Sequence, residues 1–183
     1  GLKKLALVTL VLTFVVVVAG AYVRLSDAGV GCPDWPLWYG RPIPDAHEDA
    51  KAWKEMGHRY LAGALGLLIF ALALGAWRKR SSPWLATAIA ALVVFQATLG
   101  KWTVTMLLKP AIVAAHLAGG MTLLALLVLY YLKLARPWAG SIPRLPALAA
   151  LVVVGIQILL GGWVSSNYAA LACPDLPLCL GQA

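Results

Sequence analysis

Charge is what this 183-residue chain has least of. Only 12% of its residues are charged and 62% are hydrophobic, whereas soluble domains carry about 25% charged residues. That shortfall excludes an ordinary soluble domain and points to a membrane protein. Acid is scarcer than base, with 7 Asp and Glu against 15 Lys and Arg for a net charge of +8. Histidine and cysteine number three each. At the end of the first apolar run, Tyr22 and Arg24 stand where small residues would mark cleavage. With a run that long, this argues against a cleaved signal peptide. The chain begins at Gly1 without Met, which reads as a trimmed start.

What is present are five apolar stretches, roughly Leu5–Val23, Glu55–Trp77, Trp84–Val104, Ala111–Leu132 and Pro146–Val164. Each approaches the ~20 helical residues that cross a hydrocarbon core of about 30 Å. The fold class expected is therefore all-α, a polytopic membrane protein in the lipid bilayer. Alternating the spans puts Lys3, Lys4, Arg78, Lys79, Arg80, Lys133, Arg136 and Arg144 on one side, with no acid. The other side receives Asp27, Asp34, Asp45, Glu48, Asp49, Glu55 and Asp175, with Arg24, Arg41, Lys51, Lys54, Arg59, Lys101 and Lys109. The dense clusters Lys3–Lys4 and Arg78–Arg80 place the first side in the cytoplasm. The N-terminus is then cytoplasmic, and residues 24–54 and 165–183 are periplasmic. Basicity reads here as topology, and nucleic-acid binding is not expected.

The chain repeats itself. Gly20-Ala-Tyr-Val23 and Cys32-Pro-Asp-Trp-Pro-Leu37 recur as Gly161-Gly-Trp-Val164 and Cys173-Pro-Asp-Leu-Pro-Leu178, both 141 residues on. Such a repeat reads as a duplicated bundle. Residues 1–140 form a first four-helix half. Residues 141–183 open a second half of which one helix is present, so the chain reads as a fragment. A weaker echo relates Gln96-Ala-Thr-Leu-Gly100-Lys-Trp102 to Gln157-Ile-Leu-Leu-Gly161-Gly-Trp163. All three cysteines fall on the outer side, where disulfides are permitted. Cys173 and Cys179 are a disulfide candidate, which leaves Cys32 over. The spaced glycines Gly63, Gly66, Gly119 and Gly120 allow close helix approach. Gly63 and Gly119 would also leave room for a flat cofactor.

Two of the three histidines, His58 and His116, lie inside spans at nearly the same depth from the outer side. An ionisable side chain in a span marks a functional site by default. A lone histidine would read as a buried group bonded to a hydroxyl or carbonyl. Two at matched depth, on helices set diagonally in a four-helix bundle, suit the two axial positions of a heme iron. Zinc fits less well, since no third or fourth ligand lies at that depth. His47 sits in a polar loop and reads as solvated. Glu55, three residues before His58, is open between acid–base work and a helix-start carboxylate. Arg59 and Arg24 are candidate partners for heme propionates, and Arg59 reads equally as a side chain reaching the interface.

These motifs together resemble the heme A synthase family, of the kind with two four-helix halves. The resemblance rests on Gly20-Ala-Tyr-Val-Arg-Leu25, Gly31-Cys-Pro-Asp-Trp-Pro36, Glu55-Met-Gly-His-Arg59, Gln96-Ala-Thr-Leu-Gly100, Leu107-Leu-Lys-Pro110 with His116 behind it, and Gly162-Trp-Val-Ser-Ser-Asn-Tyr168. It covers essentially the whole chain. It implies an enzyme of the bacterial or mitochondrial inner membrane that oxidises a ring methyl of heme O to a formyl, making heme A for cytochrome oxidase. It implies heme b as cofactor and heme O as substrate, one in each half. It ties Glu55 to catalysis, and brings in heme O synthase, an electron acceptor, cytochrome oxidase and possible oligomers as partners. The family's loop cysteines map onto Cys32 and position 38, where this chain has Trp38, so a first-loop disulfide is not possible. The alternative function is a bis-His b-type cytochrome that transfers electrons or handles heme without oxidising it.

Overall fold

The computed structural model describes residues 1–32, 34–45, 50–135 and 144–169. His47, Cys173 and Cys179 lie outside the described residues, and with them the expected disulfide. The fold is five long helices: α1 Leu2–Leu25, α2 Ala50–Arg78, α3 Pro83–Thr105, α4 Pro110–Ala135 and α5 Arg144–Ser166. All five are long and apolar enough to cross a membrane. Pro83 and Pro110 open α3 and α4, where a missing N–H costs nothing and a fixed φ suits the first turn. Inside α1 the Thr9 and Thr13 hydroxyls donate to the Leu5 and Thr9 carbonyls at 2.8 and 2.7 Å. Both polar groups are thereby satisfied within their own helix.

The first four helices close a ring. α1 packs on α2 and α4, and α3 packs on α2 and α4, while the backbones of α2 and α4 stand apart across the ring. The α2–α4 diagonal is thus the one the histidine pair requires. Neighbours run antiparallel: Leu2 lies against Gly75 and Gly20 against His58, and the Trp77 indole donates to Thr87 at 2.9 Å. α5 packs mainly on α4, outside the ring, and is met at its end by Arg24 of α1.

One end of the bundle gathers the α1–α2 loop, the α3–α4 link and the end of α5. The described acids Asp27, Asp34, Asp45 and Glu55 are all there. The opposite end holds Gly1, Arg78–Ser82 and Arg144. Towards that opposite end a buried apolar cluster fills the ring, with Leu65, Ile69, Leu72, Ile89, Leu123, Leu127 and Tyr130 at its heart. The outermost members of the cluster on α2 and α4 are Leu65 and Leu123. Each stands seven residues, two turns, beyond the histidine of its helix. Outward-facing side chains such as Leu67, Leu145 and Trp84 are largely exposed, as lipid-facing positions must be.

Candidate functional site

His58 lies eight residues past Ala50 in α2, and His116 six past Pro110 in α4. At 1.5 Å per residue their depths differ by about 3 Å. Each ring rests on a glycine of a neighbouring helix. A Cβ on Gly20 of α1 would stand 3.0 Å from His58 Cε1, and one on Gly100 of α3 would stand 3.4 Å from His116 Cε1. Any larger residue at Gly20 would push the His58 ring aside. The two imidazoles lie within electrostatic range of each other.

Among the described residues, the buried side-chain polar atoms without a partner are His58 Nδ1, His116 Nδ1 and Gln96 Nε2. Buried polar groups are nearly always paired, so three orphans in one region of a bundle mark a ligand site. Among the described residues no three His, Cys, Asp or Glu side chains converge as a metal cluster would need. Two buried imidazoles on helices across the ring, each with an unpartnered nitrogen, are the kind of donor set that a six-coordinate heme iron takes. The residues present therefore fit that group.

Gln96 was visible in the sequence only as part of a motif. It is 7% exposed, and its amide fills the space a Cβ on Gly119 would need. Gly119, one turn beyond His116, is therefore occupied by Gln96 and is not open to a flat cofactor. Gly63 and Gly66 have nothing within 4 Å of a Cβ position. The missed signal was an amide in an apolar span, a group that must find a partner across helices.

Glu55 is 4% exposed. It lies past the first turn of α2, where the helix-terminus effect has faded, so the helix-start reading does not hold. One carboxylate oxygen accepts from the Cys32 backbone N–H at 2.9 Å and the other from Arg59 at 2.6 Å. The Arg59 guanidinium, expected beside a propionate, is turned into the loop instead. It donates to the carbonyls of Cys32 at 3.1 Å, Asp34 at 2.8 Å and Leu37 at 3.3 Å. Arg24 donates to the Ser165 carbonyl at 2.6 Å and lies 4.2 Å from the Tyr168 ring centre.

The loop itself is built around Cys32, which is fully buried with Trp38, Ala52 and Met56. Trp38 packs in the same buried cluster as Cys32. Burial, reinforced by the Glu55 charge, pushes the Cys32 thiol up to about 11, so it stays protonated and unreactive at neutral pH. Asp34 accepts backbone N–H bonds from Tyr39 at 2.9 Å and Gly40 at 3.2 Å, and the Tyr39 bond holds its carboxyl below the usual range.

The sequence profile of the COX15-CtaA family, described as cytochrome oxidase assembly protein, matches residues 3–183. The chain belongs to the COX15-CtaA family. Among its curated relatives, heme A synthase from Shewanella oneidensis is 46% identical over 96% of this chain and 60% of that protein. Heme A synthase from Halalkalibacterium halodurans is 31% identical over 100% of this chain and 65% of that protein. A third, from Caulobacter vibrioides, is 35% identical over 64% of this chain and 38% of that protein. The chain spans about three-fifths of the length of the first of these COX15-CtaA relatives.

Proposed function

We propose that this chain carries the first heme-binding half of a heme A synthase, oxidising a ring methyl of heme O to a formyl for cytochrome oxidase. One observation carries the reading: His58 and His116 stand at matched depth on helices that face each other across a closed ring. The names of the relatives support the reaction. His58 and His116 would hold the iron of heme b or of heme O, with Gly20 and Gly100 leaving room for the rings. The bound heme would supply iron-centred redox chemistry. The protein's part is to orient both imidazoles, to keep water from the pocket and to fix the outer loop above it. Glu55 is the acidic residue of this site. The reading places the protein in the bacterial or mitochondrial inner membrane, with the α1–α2 loop on the periplasmic side or its mitochondrial equivalent.

The test is heme extraction and chromatography of the purified full-length protein, with absorption spectra of His58→Ala and His116→Ala. Heme O or heme A in the extract, and loss of the low-spin signal of this half in either variant, is the expected result. Heme b alone would favour the b-type cytochrome. A normal low-spin spectrum in His116→Ala would reject the paired ligation.

A further inference from the structure

The first outer loop is tied to the bundle more heavily than a solvated connection needs to be. Arg59 reaches four of its carbonyls, at Cys32, Asp34, Pro36 and Leu37. Glu55 takes the Cys32 N–H and pairs with Arg59, both side chains being largely buried. Gly31 sits so close to α2 that a Cβ there would stand 2.8 Å from the Lys51 backbone carbonyl. The Cys32 thiol points at the Ala52 carbonyl, 3.6 Å away.

The loop also crosses the bundle end. The Lys101 ammonium, on α3, lies 5.8 Å from the Trp35 ring centre. Gly29 lies against Leu108 in the α3–α4 link, 3.1 Å from its Cδ2 to a Cβ position. The loop therefore spans from α2 to the α3–α4 link, one to two turns above His58 and His116. In this loop no disulfide can do the tying, because Trp38 stands where the second cysteine would be.

We infer that Arg59 and Glu55 are positioning residues: a non-covalent latch that fixes the loop through Cys32 and Asp34–Leu37 as a roof over the histidine pocket. Glu55 then serves the reaction through the loop, each of its oxygens holding one loop-fixing bond. The roof's effect on heme rests on the heme reading above; the latch itself does not.

The test is the rate at which a maleimide labels Cys32 in the purified, heme-free chain at pH 8, with Cys173 and Cys179 changed to Ser. Arg59→Gln, Glu55→Gln and Gly31→Ala should each raise that rate at least tenfold. Gly31→Ala alters no charge, so it separates loop release from the loss of a carboxylate. The Arg59→Gln, Glu55→Gln double variant should be no faster than either single change, as members of one unit are not additive. Arg41→Gln, which breaks only the exposed Arg41–Asp45 pair, should leave the rate unchanged. Parent-like labelling in Arg59→Gln or Gly31→Ala, or equal labelling in Arg41→Gln, would overturn the latch. With heme bound, the released variants should pass it to apomyoglobin about tenfold faster than the parent. Unchanged transfer beside raised labelling would overturn the roof alone. A parent chain that takes up no heme would reject the heme reading, and the labelling result would still decide the latch.

Discussion

The Cys32 thiol shows what the loop does to a single side chain. Its pKa stands near 11 in place of an ordinary 9.0 because it is buried and faces the Glu55 carboxylate. A raised thiol pKa favours the neutral form. Two units correspond to about 100-fold less thiolate at pH 8. Labelling of the parent should therefore keep rising with pH and bend near 11, while Arg59→Gln should bend near 9. A parent profile that bends near 9 would show that labelling proceeds from an open loop. The glycines under the imidazoles make a second residue-scale case. Gly20→Ala puts a Cβ 3.0 Å from the His58 ring, tighter than ordinary contact, whereas Gly100→Ala meets His116 at 3.4 Å. Gly20→Ala should shift or broaden the low-spin heme spectrum, and Gly100→Ala should change it less. The reverse order of effects would place the constraint on the other ring. None of this was legible from residue identities alone. The Glu55–Arg59 pair, four residues apart on one helix face, was not read from the sequence, which set Arg59 beside a propionate or at the interface. The loop carbonyls that Arg59 also gathers depend on backbone conformation, which only the folded loop fixes.

Among the helices, the sequence read well wherever hydropathy alone decides. The α1, α3 and α4 boundaries fall within about three residues of the apolar runs, because crossing a bilayer leaves the chain little choice. α2 runs further out, beginning at Ala50. Its first turns are polar, and the docked loop supports them. The diagonal of α2 and α4 was required by the histidines before it was seen, since matched depth has meaning only if the helices face each other. One part of the packing of α3 on α4 was not legible, because it depends on where a single amide lies. Gln96 lies over Gly119, and nothing lies over Gly120. Gly119→Ala should force the amide out at an overpacking cost of about 1–3 kcal/mol. Gly120→Ala should stay within about 0.5 kcal/mol of the parent. A denaturant titration in detergent measures both, and equal midpoints would show that Gln96 moves aside freely.

Across the whole molecule the 141-residue repeat has a physical counterpart. Arg24 donates to the carbonyl of Ser165, its own equivalent 141 positions on. α1 and α5 thus meet at their ends through the Arg24 guanidinium, which reaches Ser165 and Tyr168. The same arrangement sorts the charges. Lys3, Lys4, Arg78, Lys79, Arg80, Lys133 and Arg144 crowd one end. At the other stand Arg24, Arg41, Lys51, Lys54, Arg59, Lys101 and Lys109, of which Arg41, Lys51 and Arg59 are paired with an acid. Dense Lys and Arg clusters beside span ends favour the cytoplasmic side; under the orientation proposed above, the histidine pocket would open towards the periplasm. Orientation is tested by placing one cysteine at each end, with Cys173 and Cys179 changed to Ser and the buried Cys32 left in place. Ile43→Cys, at an exposed loop position, should react with a membrane-impermeant maleimide added to intact cells. Lys79→Cys, in the α2–α3 turn, should react only after the membrane is opened. Labelling of Lys79→Cys in intact cells, with Ile43→Cys protected, would invert the molecule. The pocket would then receive heme from the cytoplasmic side.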